Sequence, residues 1–205
     1  MATISGHTVR PATNDDLPRM MDIFAQARET MRADGNLTQW AGEYPSAQVV
    51  LEDIRLGRSF VIEEDGAVVG TFAFIQGVEP TYARIYKCEF TDGAPVPLLA
   101  TEPLSNVSTL LRPGRWLDDT LPYATIHRLA GARGSHGIAQ ACFAWAWQRC
   151  RNQSLNAQPY TLRVDTHADN HIMQRCIRQA GFTYCGIIYL ADGAPRLAYQ
   201  KITLK

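Results

Sequence analysis

Residues 123–151, YATIHRLAGARGSHGIAQACFAWAWQRCR, combine a strand pattern, a turn containing several glycines and a helix pattern. Residues 123–129 are apolar and β-branched enough to predict a strand. Apolar side chains then recur every three or four positions, which predicts a helix. These helix positions are Ile138, Cys142, Phe143, Ala146 and Cys150. A strand–turn–helix unit of this kind is typical of proteins that combine a sheet with helices.

The turn between this strand and helix contains Gly131, Gly134 and Gly137. Such a turn can present several unpaired backbone N–H groups in one direction, and the helix dipole adds about half a positive charge there. Arg133 places a full cation beside it. The turn therefore suits a phosphate or diphosphate, although neither a P-loop nor a G-x-G-x-x-G spacing occurs. The alternative is a turn that joins strand to helix for packing alone.

Composition limits the possible functions. The 205 residues are most simply one domain with a sizeable core. Twenty basic and twenty acidic side chains cancel, so no net field attracts nucleic acid or an anionic membrane. The five cysteines lack Cys-x-x-Cys or zinc-like spacing, which predicts reduced thiols and no metal. Neither a signal segment nor a run of about 20 apolar residues occurs, so we expect a cytoplasmic protein.

Patterns on both sides of the central unit continue the alternation of strands and helices. Upstream, Asp65-Gly66 predicts a hairpin, because a tight type I′ turn needs positive φ at both central residues. Downstream, Gly181 is expected to end a helix in a left-handed conformation. The predicted strands are 7–10, 59–64, 67–75, 123–129, 161–167, 182–190 and 196–202, and the predicted helices begin near residues 17, 46, 138 and 170.

Residues 91–114 interrupt this order with several prolines and little periodicity. A structureless loop of this length is unusual in a compact domain and is often a lid or a binding loop. A solvent-exposed insertion without a role is the alternative, and the sequence favours neither.

The order of elements and two motifs resemble the GNAT superfamily of acetyl-CoA-dependent N-acetyltransferases. Arg133-Gly134-Ser135-His136-Gly137-Ile138-Ala139 is similar to the loop that holds the acyl-CoA diphosphate, and Asn170 followed by Gly181-Phe182 is similar to a second block. Shorter matches resemble a bacterial subset of uncharacterised members: Gln39-Trp40, Pro80-Thr81-Tyr82, Ile126-His127-Arg128, Asp165-Thr166-His167 and Tyr184-Cys185-Gly186-Ile187-Ile188-Tyr189. The resemblance covers nearly the whole chain except about residues 87–113, which look inserted.

Two positions depart from the family pattern. Three residues separate Arg133 from Gly137 where the family has two, so the side chain that assists in binding the diphosphate is undetermined. Backbone amides would bind the diphosphate whichever side chain assists. The family often has a tyrosine that protonates the departing CoA thiolate, and here that position is Ile177. Because an alkyl group cannot donate a proton, the acid comes from another residue or from water, or is not needed.

The resemblance implies a single α/β (α+β) domain over residues 1–205, with an inserted loop at about 87–113. It implies a mixed, mostly antiparallel sheet of about seven strands flanked by about four helices. The two central strands are expected to part near Leu129 and His167, and CoA to enter the gap between them. The exposed edge of the C-terminal hairpin could pair with a second copy, so a monomer and a homodimer are both open.

The resemblance also implies which residues bind acetyl-CoA. Backbone groups of Leu129 and Ala130 would hold the pantetheine. The diphosphate would be held by the turn, residues Arg133, Gly134, Ser135, His136, Gly137, Ile138 and Ala139. Asn170 lies where its amide could contact the pantetheine, although a helix cap would look the same in the sequence.

His127 is the preferred general base, because it lies on the central strand and titrates near neutral pH; a structural histidine beside Arg128 is the alternative. Glu79 and Asp165 are lesser candidates, as is His167. For the acid, Tyr184 and Tyr189 are possible, although strand tyrosines more often pack. Trp40 and Tyr82 are expected to line the acceptor pocket, with core packing as the alternative for both.

The implied function is direct transfer of acetyl from acetyl-CoA to a primary amine of a small molecule or peptide. The missing tyrosine motivates an alternative, a non-catalytic acyl-CoA-binding regulatory module. A nucleotide-binding protein is disfavoured, because no Walker-type lysine or Mg²⁺-binding Ser/Thr is present.

Overall fold

The computed structural model describes residues 2–4, 6–40, 42–86, 90–91, 94–95, 114–154 and 160–202. Within these ranges the α-helices are α1 (Leu17–Ala33), α2 (Ala47–Arg55), α3 (Ile138–Ser154) and α4 (His171–Gln179). The strands are β1 (Ala2–Ile4), β2 (His7–Pro11), β3 (Ser59–Glu64), β4 (Ala67–Gln76), β5 (Phe90–Thr91), β6 (Ala94–Pro95), β7 (Tyr123–Gly131), β8 (Thr161–Thr166), β9 (Thr183–Tyr189) and β10 (Pro195–Lys201). No helix in the described part of the chain is long and apolar enough to cross a bilayer.

Eight strands form one mixed sheet in the order β1-β2-β3-β4-β7-β8-β10-β9. Every neighbouring pair is antiparallel except β7 and β8, which are parallel. The predicted α/β domain with a mostly antiparallel sheet and four flanking helices is confirmed. The strand beyond the predicted seven is β1, whose three residues are too few to show a period of two.

The predicted turn signals are confirmed where they are strongest. Asp65 and Gly66 have φ values of 49° and 79°, and Glu64 pairs with Ala67 across them. Gly181 has φ 81° just after α4, as expected for a residue that ends a helix. The pair β5–β6 forms a separate two-stranded sheet inside the predicted insertion. The rest of that insertion, 87–89, 92–93 and 96–113, lies outside the described residues.

Helices cover both faces of the sheet. Alternate residues of each strand point to opposite faces, so neighbouring strand residues pack against different helices. On β3, Phe60 and Ile62 belong to the core beneath α3, whereas Val61 packs with Met20 and Phe24 of α1. The helix α3 spans the sheet. Its Trp145 ring lies 4.6 Å from that of Phe60, and its Phe143 ring lies 5.3 Å from that of Phe182, which precedes β9.

Asp16 connects the end of β2 to the start of α1. Its carboxylate accepts two hydrogen bonds from Arg10, at 2.7 and 2.8 Å, and two from Thr13, at 2.8 and 3.0 Å. The hydrogen bond from Arg10 lowers the pKa of Asp16 to about 2. Asp16 is therefore ionised in the folded protein at every pH at which an ordinary carboxyl is ionised, and below that range as well.

Replacing Asp16 with asparagine should lower the free energy of unfolding at neutral pH by about 1–3 kcal/mol, the usual contribution of hydrogen bonds to charged groups. Because the folded-state pKa is depressed, this contribution is complete above the unfolded pKa and disappears as pH falls through about 2. Urea unfolding at several pH values measures both effects. Asp22→Asn, which breaks the exposed pair with Arg19, is the matched control and should change stability by less than about 1 kcal/mol. Equal losses in the two variants would contradict the prediction.

Candidate active site

The central strands β7 and β8 pair along only part of their length. Their register runs from Tyr123 opposite Thr161 to Ile126 opposite Val164. Beyond Ile126, β7 continues to Gly131 without a partner on β8, while Asp165 and Thr166 pair only with β10. The predicted parting of the central strands near Leu129 and His167 is therefore confirmed.

A β-bulge in β7 lies where the two strands part. Thr71 pairs with Ala130 and Ala73 with His127, so two residues of β7, Arg128 and Leu129, oppose Phe72 alone. Arg128 has φ 55°, a value that few residues other than glycine adopt. A bulge bends its strand and disrupts the ladder locally, which is consistent with the departure of β7 from β8. The sequence patterns did not predict this bulge.

The side chain of Arg128 fixes this unusual backbone. Its Nη2 lies 2.6 Å from Oδ2 of Asp53, a residue of α2 that is 3% exposed. Its Nη1 donates to the Tyr44 hydroxyl at 3.2 Å, and Arg58 contacts the other Asp53 oxygen at 3.3 Å. One buried carboxylate thus connects α2, the start of β3 and the bulge.

A cleft of about 1120 Å³ opens between the parted strands. Its walls come from α1 and the segment after it, from β7 and the glycine turn, and from the start of α3. The end of β8, α4, the segment after β9 and the start of β10 also contribute. This volume exceeds that of most small-molecule sites. The predicted cofactor residues that line it are Leu129, Ala130, Arg133, Gly134, Ser135, His136, Gly137, Ile138, Ala139 and Asn170.

The glycine turn brings unpaired backbone N–H groups to the cleft. Gly134 and Gly137 have φ values of 81° and 72°, and the Ser135 N–H closes the turn on the Ala132 carbonyl at 3.1 Å. The first bond of α3 runs from the Ala141 N–H to the Gly137 carbonyl. The N–H groups of residues 138–140 therefore have no partner within the helix, and they begin at the cleft.

Arg133 does not direct its charge into this turn. Its Nη2 contacts Oε2 of Glu29 on α1 at 2.6 Å, and both side chains are more than half exposed. Its backbone N–H donates to the Gln26 side chain at 2.7 Å. Because exposed ion pairs are weak, an anionic ligand would compete with Glu29 for this guanidinium at low cost.

Asn170 makes the contacts of a helix cap. Its Oδ1 accepts from the Met173 N–H at 3.0 Å, and its Nδ2 donates to Oε1 of Gln39 at 3.0 Å. A second contact between the same two segments joins Thr38 Oγ1 and His167 Nε2 at 3.0 Å. The segment after α1 is thus held against the loop that precedes α4.

His127 and Glu79, two of the candidate catalytic residues, meet in the cleft. Nε2 of His127 lies 3.2 Å from Oε2 of Glu79, and each side chain is about 20% exposed. Thr81 also donates to Glu79, from its hydroxyl at 2.9 Å and from its N–H at 3.3 Å. Chiefly through its hydrogen bond, His127 lowers the pKa of Glu79 to about 2, so this carboxylate is ionised at neutral pH.

This contact determines which nitrogen of neutral His127 carries the proton. An ionised carboxylate only accepts hydrogen bonds, so Nε2 must be the donor. Nδ1 then holds the lone pair that could take a proton. The Glu79 backbone in turn is held by the Tyr123 hydroxyl, which accepts from the Glu79 N–H at 2.8 Å.

The remaining predicted residues fall into different places. Asp165 and Trp40 line the cleft. Tyr82 is 1% exposed and donates to Oδ1 of Asp165 at 2.6 Å. It therefore packs in the core, which was the alternative to a place in the acceptor pocket. Burial and Asp165 raise its pKa well above the usual value. Tyr184 packs on Tyr199 of β10 and is absent from the described lining of the cleft.

Several polar residues that line the cleft had no predicted role in the site. These are Thr38, Gln39, Tyr44, Asp192 and Arg196. They come from segments far apart in the chain, and of the five only Gln39 lies in a motif, Gln39-Trp40. Within the described ranges, no group of three or more His, Cys, Asp or Glu side chains could hold a metal ion.

The sequence matches no protein-family model and no curated protein. Solved structures do match it. A GNAT-family acetyltransferase from Streptococcus agalactiae is 28% identical, with a TM-score of 0.74 over 99% of both chains. A ribosomal-protein-alanine N-acetyltransferase from Brucella melitensis is 18% identical, with a TM-score of 0.52 over 96% of this chain and 99% of that one. A variant of an agmatine N-acetyltransferase is 14% identical, with a TM-score of 0.58 over 97% of this chain and 100% of that one.

The parted sheet and the likeness to the Streptococcus agalactiae acetyltransferase support an acyltransferase enzyme. This likeness supports the resemblance to GNAT-family acetyltransferases that the motifs indicated.

Proposed function

We propose that this protein transfers the acetyl group of acetyl-CoA directly to a primary amine of a small molecule or peptide. One observation carries the proposal: a single cleft contains both the backbone amides of the glycine turn and the His127–Glu79 pair. Acetyl-CoA is the donor substrate. We further propose a cytoplasmic monomer or homodimer that needs no metal, nucleic acid or membrane.

The described residues fit acetyl-CoA. The N–H groups that begin α3 and the turn before it suit a diphosphate, because their partial positive charges point to one place. A Cβ at Gly134 would meet nothing within 4 Å, so the backbone there is open to a ligand. The unpaired part of β7, including Leu129 and Ala130, supplies backbone groups for the pantetheine amides.

The acceptor nitrogen must lose a proton before or during the attack. An alkyl amine has a pKa of about 10.4, so its neutral form costs about 4–5 kcal/mol at neutral pH. Nδ1 of His127 would take this proton, while Glu79 holds the ring and stabilises the imidazolium. The nitrogen–carbon bond forms as the carbon–sulfur bond breaks, and the CoA thiolate leaves.

A dedicated acid is less necessary than a base. Thiols have a pKa of about 8.5, so the CoA thiolate is a moderate base that water can protonate. Ile177 is fully buried, and nothing at that position can donate. The mechanism therefore needs no replacement for the family's tyrosine.

Calorimetry with acetyl-CoA and detection of free thiol with a panel of amines test this function. We expect acetyl-CoA to bind and at least one amine to release CoA. No binding at millimolar acetyl-CoA would overturn the proposal. Binding without thiol release from any amine would instead favour the regulatory-module alternative.

Gly134→Asp should weaken acetyl-CoA binding about 10-fold more than Gly134→Asn does. Asp and Asn tolerate the positive φ of this position similarly, and the space around it is open. The two variants therefore differ in one negative charge beside the diphosphate, a repulsion of about 1–2 kcal/mol at a partly hydrated site. Calorimetry in low salt measures the ratio. Equal affinities would show that the diphosphate binds elsewhere.

A further inference from the structure

We propose that the amine acceptor also carries a carboxylate, and that Arg196 binds that carboxylate. This inference rests on the proposed function and adds the class of acceptor, amino acids and related zwitterionic amines.

Arg196 is a buried cation with few partners. The residue is 9% exposed and lines the cleft. Its side chain makes one hydrogen bond in the described part of the chain, from Nη1 to the carbonyl of Pro195 at 2.8 Å. It forms no ion pair with a described residue. A guanidinium has five N–H donors, and a buried charge is costly unless it is paired.

The other two arginines that line the cleft are paired. Arg128 contacts Asp53 at 2.6 Å, and Arg133 contacts Glu29 at 2.6 Å. Each of these guanidinium groups already has a carboxylate of the protein. Arg196 differs from them because no described carboxylate pairs with its guanidinium, whose N–H donors remain available to a ligand in the cleft.

The acidic residues near Arg196 are held by other groups. Asp165 accepts from the Tyr82 hydroxyl at 2.6 Å, and Asp192 accepts from the Ala194 N–H at 2.9 Å. Both act on Arg196 through their charge, as does Tyr44, yet burial dominates and lowers the pKa of Arg196. Arg196 also lowers the pKa of His167, a residue whose main perturbation is burial. The positive charge is thus incompletely compensated, as expected of a site that receives an anion.

The position of Arg196 points to the acceptor rather than to CoA. The groups that sense its charge are Tyr44, Asp165, His167 and Asp192, and none belongs to the glycine turn. Through Asp165 and Tyr82, this region adjoins His127, whose ring centroid lies 6.3 Å from that of Tyr82. An amine at His127 and a carboxylate at Arg196 would therefore belong to one molecule in one cleft. A guanidinium binds a carboxylate through two parallel hydrogen bonds, which also fixes its orientation.

Pairs of acceptors that differ only in a carboxylate test the inference: ornithine against putrescine, lysine against cadaverine, and phenylalanine against phenethylamine. With the wild-type protein, kcat/KM for the carboxylate member should exceed that of its partner by about 100-fold or more in at least one pair, since a site built to bind a polar group rejects analogues that lack it. Arg196→Gln should reduce this ratio to near one, and Arg196→Lys should restore part of it. Arg133→Gln is the matched control, and it should keep the ratio whatever its effect on acetyl-CoA affinity.

The outcomes separate the two proposals. Failure to bind acetyl-CoA would overturn the proposed function. Binding of acetyl-CoA together with equal rates within every pair, or with no acetylation of any carboxylate-bearing amine, would overturn the inference alone. Calorimetry of Arg196→Gln with acetyl-CoA shows whether the cleft is intact. If that variant does not fold, the wild-type ratio and Arg196→Lys still decide the question.

Discussion

Replacing His127 with alanine should lower kcat/KM for amine acetylation by about 10²- to 10⁴-fold near neutral pH, the usual contribution of a positioned general base. The physical reason is that Nδ1 of His127 is the proposed proton acceptor, with Nε2 held by Glu79 at 3.2 Å. Without it, the ammonium form of the acceptor must lose its proton to bulk water. Initial rates with saturating acetyl-CoA between pH 6 and 9 measure the loss.

The affinity for acetyl-CoA should change little in the same variant, because the glycine turn is not altered. His171→Ala is the matched control, since His171 is exposed on α4 and lies outside the described lining of the cleft. Glu79→Gln should also reduce the rate, as it removes the charge that stabilises the imidazolium. Full turnover by His127→Ala across this pH range would remove His127 from the mechanism.

Replacing Asp53 with alanine should destabilise the fold by about 3–5 kcal/mol, the usual cost of leaving a buried charge without its partner. Two cations would lose their counter-charge, Arg128 at 2.6 Å and Arg58 at 3.3 Å. For a chain of this size, 1 kcal/mol shifts Tm by about 2–4 °C, so a fall of 6 °C or more is expected. Thermal and urea unfolding measure it.

The neighbouring residue supplies the control for Asp53. Glu52 lies on the same helix and pairs with Arg55 at the surface, so Glu52→Ala should cost less than about 1 kcal/mol. Adding Arg128→Met to Asp53→Ala should recover part of the loss, because it removes one unpaired charge. Similar stabilities for Asp53→Ala and Glu52→Ala would contradict the structural role given to Asp53.

Local sequence signals were sufficient for most of the fold. Apolar runs on both sides of Asp65-Gly66 placed β3 and β4, which are buried on both faces, and the helix period placed α3, which buries one face. The hairpin at Asp65-Gly66 and the helix end at Gly181 followed from the positive φ that these positions adopt. The family resemblance, carried by the turn at 133–139, then supplied the parting of the central strands.

The same signals could not predict contacts between distant segments. The bulge at Arg128 depends on Asp53 of α2 and on Tyr44, and neither has a pattern that links it to β7. Tyr82 was expected equally in the acceptor pocket or the core, and the core position follows from its stacking near Trp116 and Tyr123. Arg196 sits in a continuous buried run of β10, where alternation cannot show which face a side chain occupies.

In the described chain, only four residue pairs join β7 to β8. The sheet therefore consists of two halves, β1-β2-β3-β4-β7 and β8-β10-β9, that are connected by this short pairing. The helix α3 packs against both halves, with Trp145 on Phe60 of β3 and Phe143 on Phe182, which precedes β9. The distance between the two halves of the sheet thus depends on interior side chains that lie outside the described lining of the cleft. We therefore expect that, under the proposed function, substitutions at Trp145 or Phe143 change the width of the cleft, and with it the size of the acyl group accepted, without changing a lining residue.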